Sequence, residues 1–127
     1  MNPIVRKWRN WRHGLKFAKK GRGCRFPGKY LEVDGHVELG DHVRFRDNVI
    51  LRTSGEGKII FKNWCGTSWN VVIEASSLVQ IGSYSAIGEF SVIRDTNHAV
   101  LGTKEHWRLT PHIVEPIIIG DGVLVGI

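Results

Sequence analysis

The sequence predicts an all-β fold in which hexapeptide repeats wind into a prism of short stacked strands, preceded by a short amphipathic helix. Two observations predict the prism: large apolar residues recur every six positions, and glycine follows many of them. The helix is predicted because apolar residues near the N terminus recur at spacings of three and four. A six-residue period fits neither an amphipathic helix nor an alternating strand, but it fits a coil with one inward residue per face. A small barrel of ordinary strands with glycine turns is the alternative.

A strongly basic arm, residues 1–29, precedes the repeats. It holds ten Lys and Arg and no Asp or Glu, whereas residues 30–127 hold eight basic residues against twelve acidic ones. Gly21 and Gly23 are expected to end the helix, and Pro27 forbids its continuation. The apolar face of the predicted helix consists of Ile4, Trp8, Trp11, Leu15 and Ala18.

Three roles for this arm stay open. Its apolar face could cap the open end of the repeat domain, because end repeats would otherwise expose apolar surface. Residues 4–20 could lie on an anionic membrane surface, with tryptophans at the level of the headgroups. Nucleic-acid binding is the third role, and it is not expected because no nucleic-acid motif accompanies the charge.

The repeat domain is expected to span residues 30–127. Between residues 51 and 81 the frame is disturbed by excesses of four and two residues, so "TSGEGK" and "EASSL" are predicted to bulge outward. An excursion loop is predicted at 96–116, where periodicity stops on "DTNH" and eighteen aperiodic residues follow. The inward positions are Val33, Leu39, Phe45, Leu51, Ile81, Ile87, Ile93, Ile119 and Val125.

Composition limits the classes of protein that fit. The chain has 127 residues, the size of one domain, and 42% of them are hydrophobic. No apolar run approaches the ~18 residues of a membrane span, and no apolar segment of a secretory signal follows the basic start. Cys24 and Cys65 are too few for a disulfide framework, so free thiols and a cytoplasmic location are expected, with the inner face of the membrane as a peripheral site.

The repeats resemble the hexapeptide-repeat acyltransferases, and "WNVVIEASSLVQIGSYSAIGEFSVIRDTNH" resembles the galactoside, maltose and related glycan O-acetyltransferases. In that family an Asn precedes the catalytic His by 28 residues, the spacing that Asn70 and His98 have here. The resemblance implies a left-handed parallel β-helix, a homotrimer with active sites between subunits, and acetyl-CoA as co-substrate. It also implies O-acetylation of a sugar hydroxyl, on a surface glycan or its precursor.

The resemblance assigns His98 as the general base, because imidazole titrates near working pH. Asn70, Asp95, Asn97 and Trp107 are the expected acceptor-binding residues. Each has an alternative: turn chemistry for Asp95 and Asn97, packing for Trp107, and a purely structural role for His98 and Asn70. Residues that bind the co-substrate are not assigned within the sequence.

The remaining histidines are expected to be solvent-facing. His36 and His42 lie in adjacent hexapeptides, and His106 and His112 lie in the excursion. Zinc-type carbonic anhydrases also use hexapeptide repeats, but the histidine spacing expected for their site is missing, so no metal is expected.

Two departures from the family qualify the enzyme hypothesis. The sugar acetyltransferases carry an acidic pair shortly after the Asn, where this chain has Ala75 and Ser76 beside Glu74. The sequence also stops at Ile127 within a hexapeptide, where the family continues for several coils. The alternative function is therefore a truncated, inactive β-helix fragment that acts at most as a structural or assembly module.

Overall fold

A computed structural model describes residues 2–99 and 106–126. One α-helix, α1 (Pro3–Gly14), opens the chain, and a short 3₁₀ helix, Trp107–Leu109, lies near its end. Every other regular element is a short strand. The strands are β1 (Lys19–Lys20), β2 (Leu31–Asp34), β3 (Val37–Leu39), β4 (Arg44–Phe45), β5 (Val49–Thr53), β6 (Lys58–Phe61), β7 (Gly66–Thr67), β8 (Val71–Ala75), β9 (Leu78–Ile81), β10 (Ala86–Ile87), β11 (Val92–Arg94), β12 (Thr96–His98), β13 (His112–Val114), β14 (Ile117–Ile119) and β15 (Leu124–Val125).

The strands form a parallel β-solenoid of about four turns with three faces. The first face is β1-β3-β6-β9-β14, the second is β4-β7-β10-β15, and the third is β2-β5-β8-β11. Every pair of neighbouring strands within these faces is parallel. The predicted all-β class of stacked hexapeptides behind a short helix is confirmed, whereas the left-handed sense of the coil stays a prediction.

The strand register confirms the repeat frame that was predicted from spacing. On the first face Leu39 pairs with Phe61, Phe61 with Ile81, and Ile81 with Ile119. This column of four residues runs along the core, because the inward residues of successive coils stack directly on one another. Phe45 on β4 is fully buried, and its ring centroid lies 4.8 Å from that of Phe61 on β6. Each of the strands β2–β11 buries between one and three side chains, and these stacked side chains hold the prism together.

We name the three edges of the prism by the order in which the chain turns: the first corner joins the first and second faces, the second corner joins the second and third, and the third corner joins the third back to the first. From β2 onward, the departures from the repeat that the structure describes occur at the third corner. The segments 54–57 and 76–77 bulge there between paired strands, and so does the excursion that begins after β11. Extra residues at this edge leave the ladders on either side in register.

The predicted excursion is partly a β-hairpin. β12 pairs antiparallel with β13, so that Thr96 lies opposite Val114 and His98 opposite His112. β14 then returns to the first face and pairs with β9. Residues 100–105 lie outside the described residues.

The helix is shorter than the sequence predicted. It ends at Gly14, seven residues before Gly21, and the chain after it belongs to the solenoid. Phe17 packs on the core and stacks on Phe26 with a centroid distance of 5.2 Å. β1 then pairs with β3, and Arg25 bridges to Arg44 on the second face. The burial of Phe17 and Phe26 and the pairing of β1 with β3 stabilise an extended chain more than the helical periodicity stabilises a longer helix. Residues 15–29 therefore belong to the first coil of the solenoid.

The helix caps this first coil with its polar side, and not with the apolar face, for which capping was one of the three roles that the sequence left open. Asn10 accepts a hydrogen bond from the Phe26 amide at 2.7 Å and donates one to the Cys24 carbonyl at 3.2 Å. His13 is buried and its Nε2 lies 3.1 Å from the Gly28 carbonyl oxygen. The first coil has no preceding coil to pair with, so its backbone groups need partners that apolar side chains cannot supply. The apolar face of the helix consequently points outward.

Candidate functional site

His98 lies in the hairpin at the third corner, where the chain leaves the solenoid. The antiparallel register places it opposite His112, and the two rings meet edge to face with a centroid distance of 4.5 Å. The Ala99 amide donates to the Pro111 carbonyl at 2.9 Å, which continues the hairpin beyond the pair. His112, which the sequence analysis treated as a solvent-facing histidine, is thus in ring contact with the expected base. No local signal could reveal this contact, because it depends on the hairpin register.

The ring of His98 is oriented by its surroundings. Its Nδ1 atom is buried, so any proton exchange with a substrate would take place at Nε2. Asn97 is exposed, and its Oδ1 accepts a hydrogen bond from the His98 amide at 2.9 Å. Asn97 therefore fixes the backbone beside the imidazole and leaves its amide nitrogen at the surface.

Asp95 holds the corner from which the hairpin departs. It is only 6% exposed, and its two carboxylate oxygens accept hydrogen bonds from three consecutive backbone amides, those of Ser76, Ser77 and Leu78. The expected role in orienting the ring or binding an acceptor is therefore not what its contacts indicate. The carboxylate is occupied by the turn of the coil before it, which is the turn chemistry that the sequence left open.

Asn70 lies at the second corner, at the start of β8. Its φ of 58° is in the left-handed region, which Asn tolerates better than most residues, and its Oδ1 accepts a hydrogen bond from Asn48 Nδ2 at 2.7 Å. Asn48 holds the same position one coil earlier, so the pair forms a ladder along the corner. The five residues of β8 separate this corner from the third one, a span of about 16 Å. Within one chain, Asn70 and His98 do not meet.

Trp107 opens the 3₁₀ helix that precedes β13. Its side chain lies outside the described part of the structure, so its expected contact with the acceptor is not addressed. His106, just before it, is exposed, and its Nδ1 accepts a hydrogen bond from the Arg108 amide at 3.2 Å.

A groove that the sequence analysis did not predict crosses the second face. It has a volume of about 490 Å³ and is lined by the arginines Arg25, Arg44 and Arg46. Outward positions above Arg44 are small, since Arg44 pairs with Gly66 and Gly66 with Ala86, and this leaves the space open. No acidic side chain forms an ion pair with these arginines within residues 2–99 and 106–126. The groove can therefore receive an anion such as a phosphate.

Aromatic residues form one wall of the groove along the first corner. His42, Trp64 and Tyr84 occupy the same position in three successive coils, each with positive φ (57°, 57° and 61°). The rings of His42 and Trp64 stack with a centroid distance of 4.1 Å. Bulky residues rarely adopt this conformation, and the conformation directs a flat ring outward in every coil. The recurrence of "DHV", "NWC" and "SYS" in the repeat frame was the sequence signal for this wall.

Other candidate chemistries find no support. Burial raises the pKa of Cys65 to about 12, so this thiol in the groove stays protonated at neutral pH and is a poor nucleophile. His36 is bonded to Glu38 at 2.7 Å, and this hydrogen bond lowers the pKa of the Glu38 carboxyl. Among residues 2–99 and 106–126, no three His, Cys, Asp or Glu side chains cluster as a metal site would require. The one α-helix described is too short and too polar to cross a bilayer.

Comparison with known proteins adds no family to these observations, since no family model, curated protein or solved structure matches the chain.

Proposed function

We propose that this chain is an O-acyltransferase that transfers an acetyl group from acetyl-CoA to a sugar hydroxyl of a glycan or glycan precursor, with His98 as the general base. The observation that carries the proposal is the position of His98: a histidine in the hairpin at the one corner where the solenoid is interrupted, with its ring held against His112. The repeat frame and the 28-residue spacing from Asn70 to His98 add the resemblance to sugar acetyltransferases.

The reaction needs one proton acceptor and no covalent intermediate on the protein. Nε2 of His98 takes the proton of the acceptor hydroxyl as its oxygen attacks the thioester carbonyl carbon. The C–S bond then breaks, and the thiolate of CoA leaves with the proton that the imidazolium returns. The edge-to-face contact with His112 keeps the ring of His98 from turning between the two proton transfers.

A complete site would require a neighbouring subunit. Asn70 and the hairpin lie on different corners, about 16 Å apart along the third face, so one chain cannot bring both to the same hydroxyl. A homotrimer, which the resemblance implies, would set the hairpin of one subunit against another face of the next. The third face offers surface for such packing, because Ile50, Val72 and Val92 form an outward apolar column in register.

The groove on the second face is the proposed position of the CoA phosphates. Arg25, Arg44 and Arg46 supply guanidinium groups that no acidic side chain neutralises among the described residues. Guanidinium groups recognise phosphate by paired hydrogen bonds, and the wall formed by Trp64 offers a flat surface on which adenine could stack. The groove crosses the second face, and Asn70 lies at the corner that borders this face. Acetyl-CoA in the groove and a sugar at Asn70 would therefore both lie near the hairpin of a neighbouring subunit.

The test separates binding from chemistry in the full chain. Calorimetric titration with acetyl-CoA should give heat, and Arg44→Ala/Arg46→Ala should weaken binding at least tenfold if charge-assisted hydrogen bonds to phosphate are lost. Release of free CoA is then followed with a panel of simple hexoses and hexosides. His98→Ala should lower kcat by about 10²–10⁴-fold while leaving acetyl-CoA binding unchanged.

His36→Ala is the matched control, because this histidine lies at the same corner on an earlier coil and is engaged with Glu38. It should retain the wild-type kcat. No heat with acetyl-CoA at millimolar concentration would overturn the transferase proposal and favour the non-catalytic solenoid module. Turnover by His98→Ala at the wild-type rate would remove this residue from the mechanism.

A further inference from the structure

The helix α1 presents a bare apolar stripe to solvent. Its members Ile4, Trp8, Trp11 and Leu15 are 77%, 52%, 62% and 66% exposed. At 100° per residue these four fall within a 60° arc, and the arc lies opposite the side on which Asn10 docks. The stripe cannot turn inward without breaking the hydrogen bonds of Asn10 to the first coil. The solenoid therefore fixes the stripe on the outside of the molecule.

Basic side chains flank this stripe on both sides. By the same helical geometry Lys7 lies on one side and Arg12 on the other. The guanidinium of Arg12 sits 5.4 Å from the centre of a Trp8 ring, so charge and apolar surface are adjacent. No acidic residue occurs in residues 1–29, so nothing in the arm offsets this charge. An apolar stripe between cationic borders matches the boundary between acyl chains and anionic headgroups.

A second basic feature opens beside the stripe. A cleft of about 780 Å³ runs between α1 and the first coil, and Trp11 and Leu15 form part of one wall. Its charged lining consists of five basic residues and no acidic one: Arg6, Lys7, Lys20, Arg25 and Arg44. A phosphate brought to the edge of the stripe would meet this cleft directly.

From these observations we propose that α1 is an interfacial anchor that docks the protein on an anionic phospholipid bilayer. Its stripe lies among the upper acyl chains, and the basic cleft receives lipid phosphates. The occupant is a bilayer because the apolar stripe and the cationic border run together along α1 and its C-cap residue Leu15, and a surface of this form suits a planar interface between acyl chains and anionic headgroups. The proposal does not depend on the acyltransferase chemistry, since the stripe and its cationic borders lie outside the hairpin and the groove; only Arg25 and Arg44 line both the cleft and the groove.

Co-sedimentation of the full chain with large vesicles tests the docking. Vesicles of equal parts phosphatidylcholine and phosphatidylglycerol should bind the protein, and vesicles of phosphatidylcholine alone should bind it far less. Lys7→Gln/Arg12→Gln should weaken binding about 25-fold, at roughly fivefold for each basic residue near an anionic surface. Trp8→Ala/Trp11→Ala should weaken it more than about tenfold, because the apolar anchor is lost while the charge remains. Soluble glycerol phosphate should not displace the bound protein.

The matched control is Tyr30→Ala/Phe90→Ala, which removes two aromatic side chains that are 55% and 67% exposed on the solenoid. It should bind vesicles as the wild type does, and all variants should keep the wild-type circular dichroism because the removed groups are at the surface. Equal binding of neutral and anionic vesicles, or wild-type binding by Trp8→Ala/Trp11→Ala, would overturn the proposal. A third result would also overturn it: the wild type binds no vesicles but forms a concentration-dependent oligomer, and Trp8→Ala/Trp11→Ala abolishes that oligomer. The stripe would then contact a second copy of the chain.

Discussion

Replacement of Asp95 by alanine should destabilise the solenoid strongly. The carboxylate is 6% exposed and accepts three backbone N–H groups at 2.8, 2.7 and 2.9 Å. A hydrogen bond to a charged group contributes about 1.5–3 kcal/mol, but Ser77 is exposed and water can replace part of the loss. We therefore expect Asp95→Ala to reduce the free energy of unfolding by about 3 kcal/mol. Asp95→Asn should lose about 1–2 kcal/mol, because the amide keeps one acceptor oxygen but no charge.

Urea denaturation followed by tryptophan fluorescence measures this loss. Asp34→Ala is the control, since Asp34 ends β2 at the same corner, is exposed, and makes no side-chain hydrogen bond to the described residues. It should change the free energy of unfolding by less than about 0.5 kcal/mol. If Asp95→Ala and Asp34→Ala were equally mild, the three amide bonds would not hold the corner. If Asp95→Asn were fully stable but inactive, the carboxylate would act on substrate after all.

Two further predictions concern buried polar groups. Thr67 Oγ1 is buried with no hydrogen-bond partner among the described residues, so Thr67→Val should raise the free energy of unfolding by about 1 kcal/mol. Thr53→Val is the control and should lower the free energy of unfolding by about 1 kcal/mol, because Thr53 Oγ1 accepts a hydrogen bond from the His36 amide at 2.9 Å. Chemical denaturation of both variants distinguishes the two signs. Burial lowers the pKa of His13, so the folded state favours the neutral ring, and this contribution to stability is complete above the unfolded pKa of about 6.5 and is lost as pH falls through the folded pKa. Denaturation midpoints at pH 5 and 7.5 should therefore differ more in the wild type than in His13→Gln, and an equal difference would contradict this assignment.

The coil and its register could be predicted from the sequence because large apolar residues of successive coils stack at the same inward position of a face. Leu39, Phe61 and Ile81 stack as their spacing required, even though the intervening coils contain 22 and 20 residues. The excess residues had to leave the prism between paired strands, and counting them identified the bulges. Handedness does not follow from such counting.

The docked side of the helix could not be predicted in the same way. Periodicity shows that Trp8 and Trp11 share a face, but it does not show what that face meets. The open edge of a parallel coil presents backbone amides and carbonyls, so the polar side chain of Asn10 was the better partner. A search for polar residues at helical spacing opposite the apolar stripe would have suggested this orientation.

His98 stood out in the sequence because the repeat stops at it. The structure describes a hairpin there, and the role of His98 as a general base stays a prediction. Asp95 could not be distinguished from a substrate-binding residue, because a carboxylate that caps a turn and one that binds a hydroxyl look alike in sequence. His112 was missed since fourteen residues separate it from His98 and the contact depends on strand pairing.

The interruption at the third corner also affects the order in which the coils form. Phe61 and Ile81 pair across 20 residues, whereas Ile81 and Ile119 pair across 38. Closing the longer loop costs only about 0.6 kcal/mol more in chain entropy, but that cost falls entirely on the strands β14 and β15. In a molecule whose coils contact only their neighbours, this local cost is not shared with the other coils. The amides of β14 and β15 should therefore exchange with solvent before those of β9 and β10, and this coil should form after the coils that contain Phe45 and Phe61.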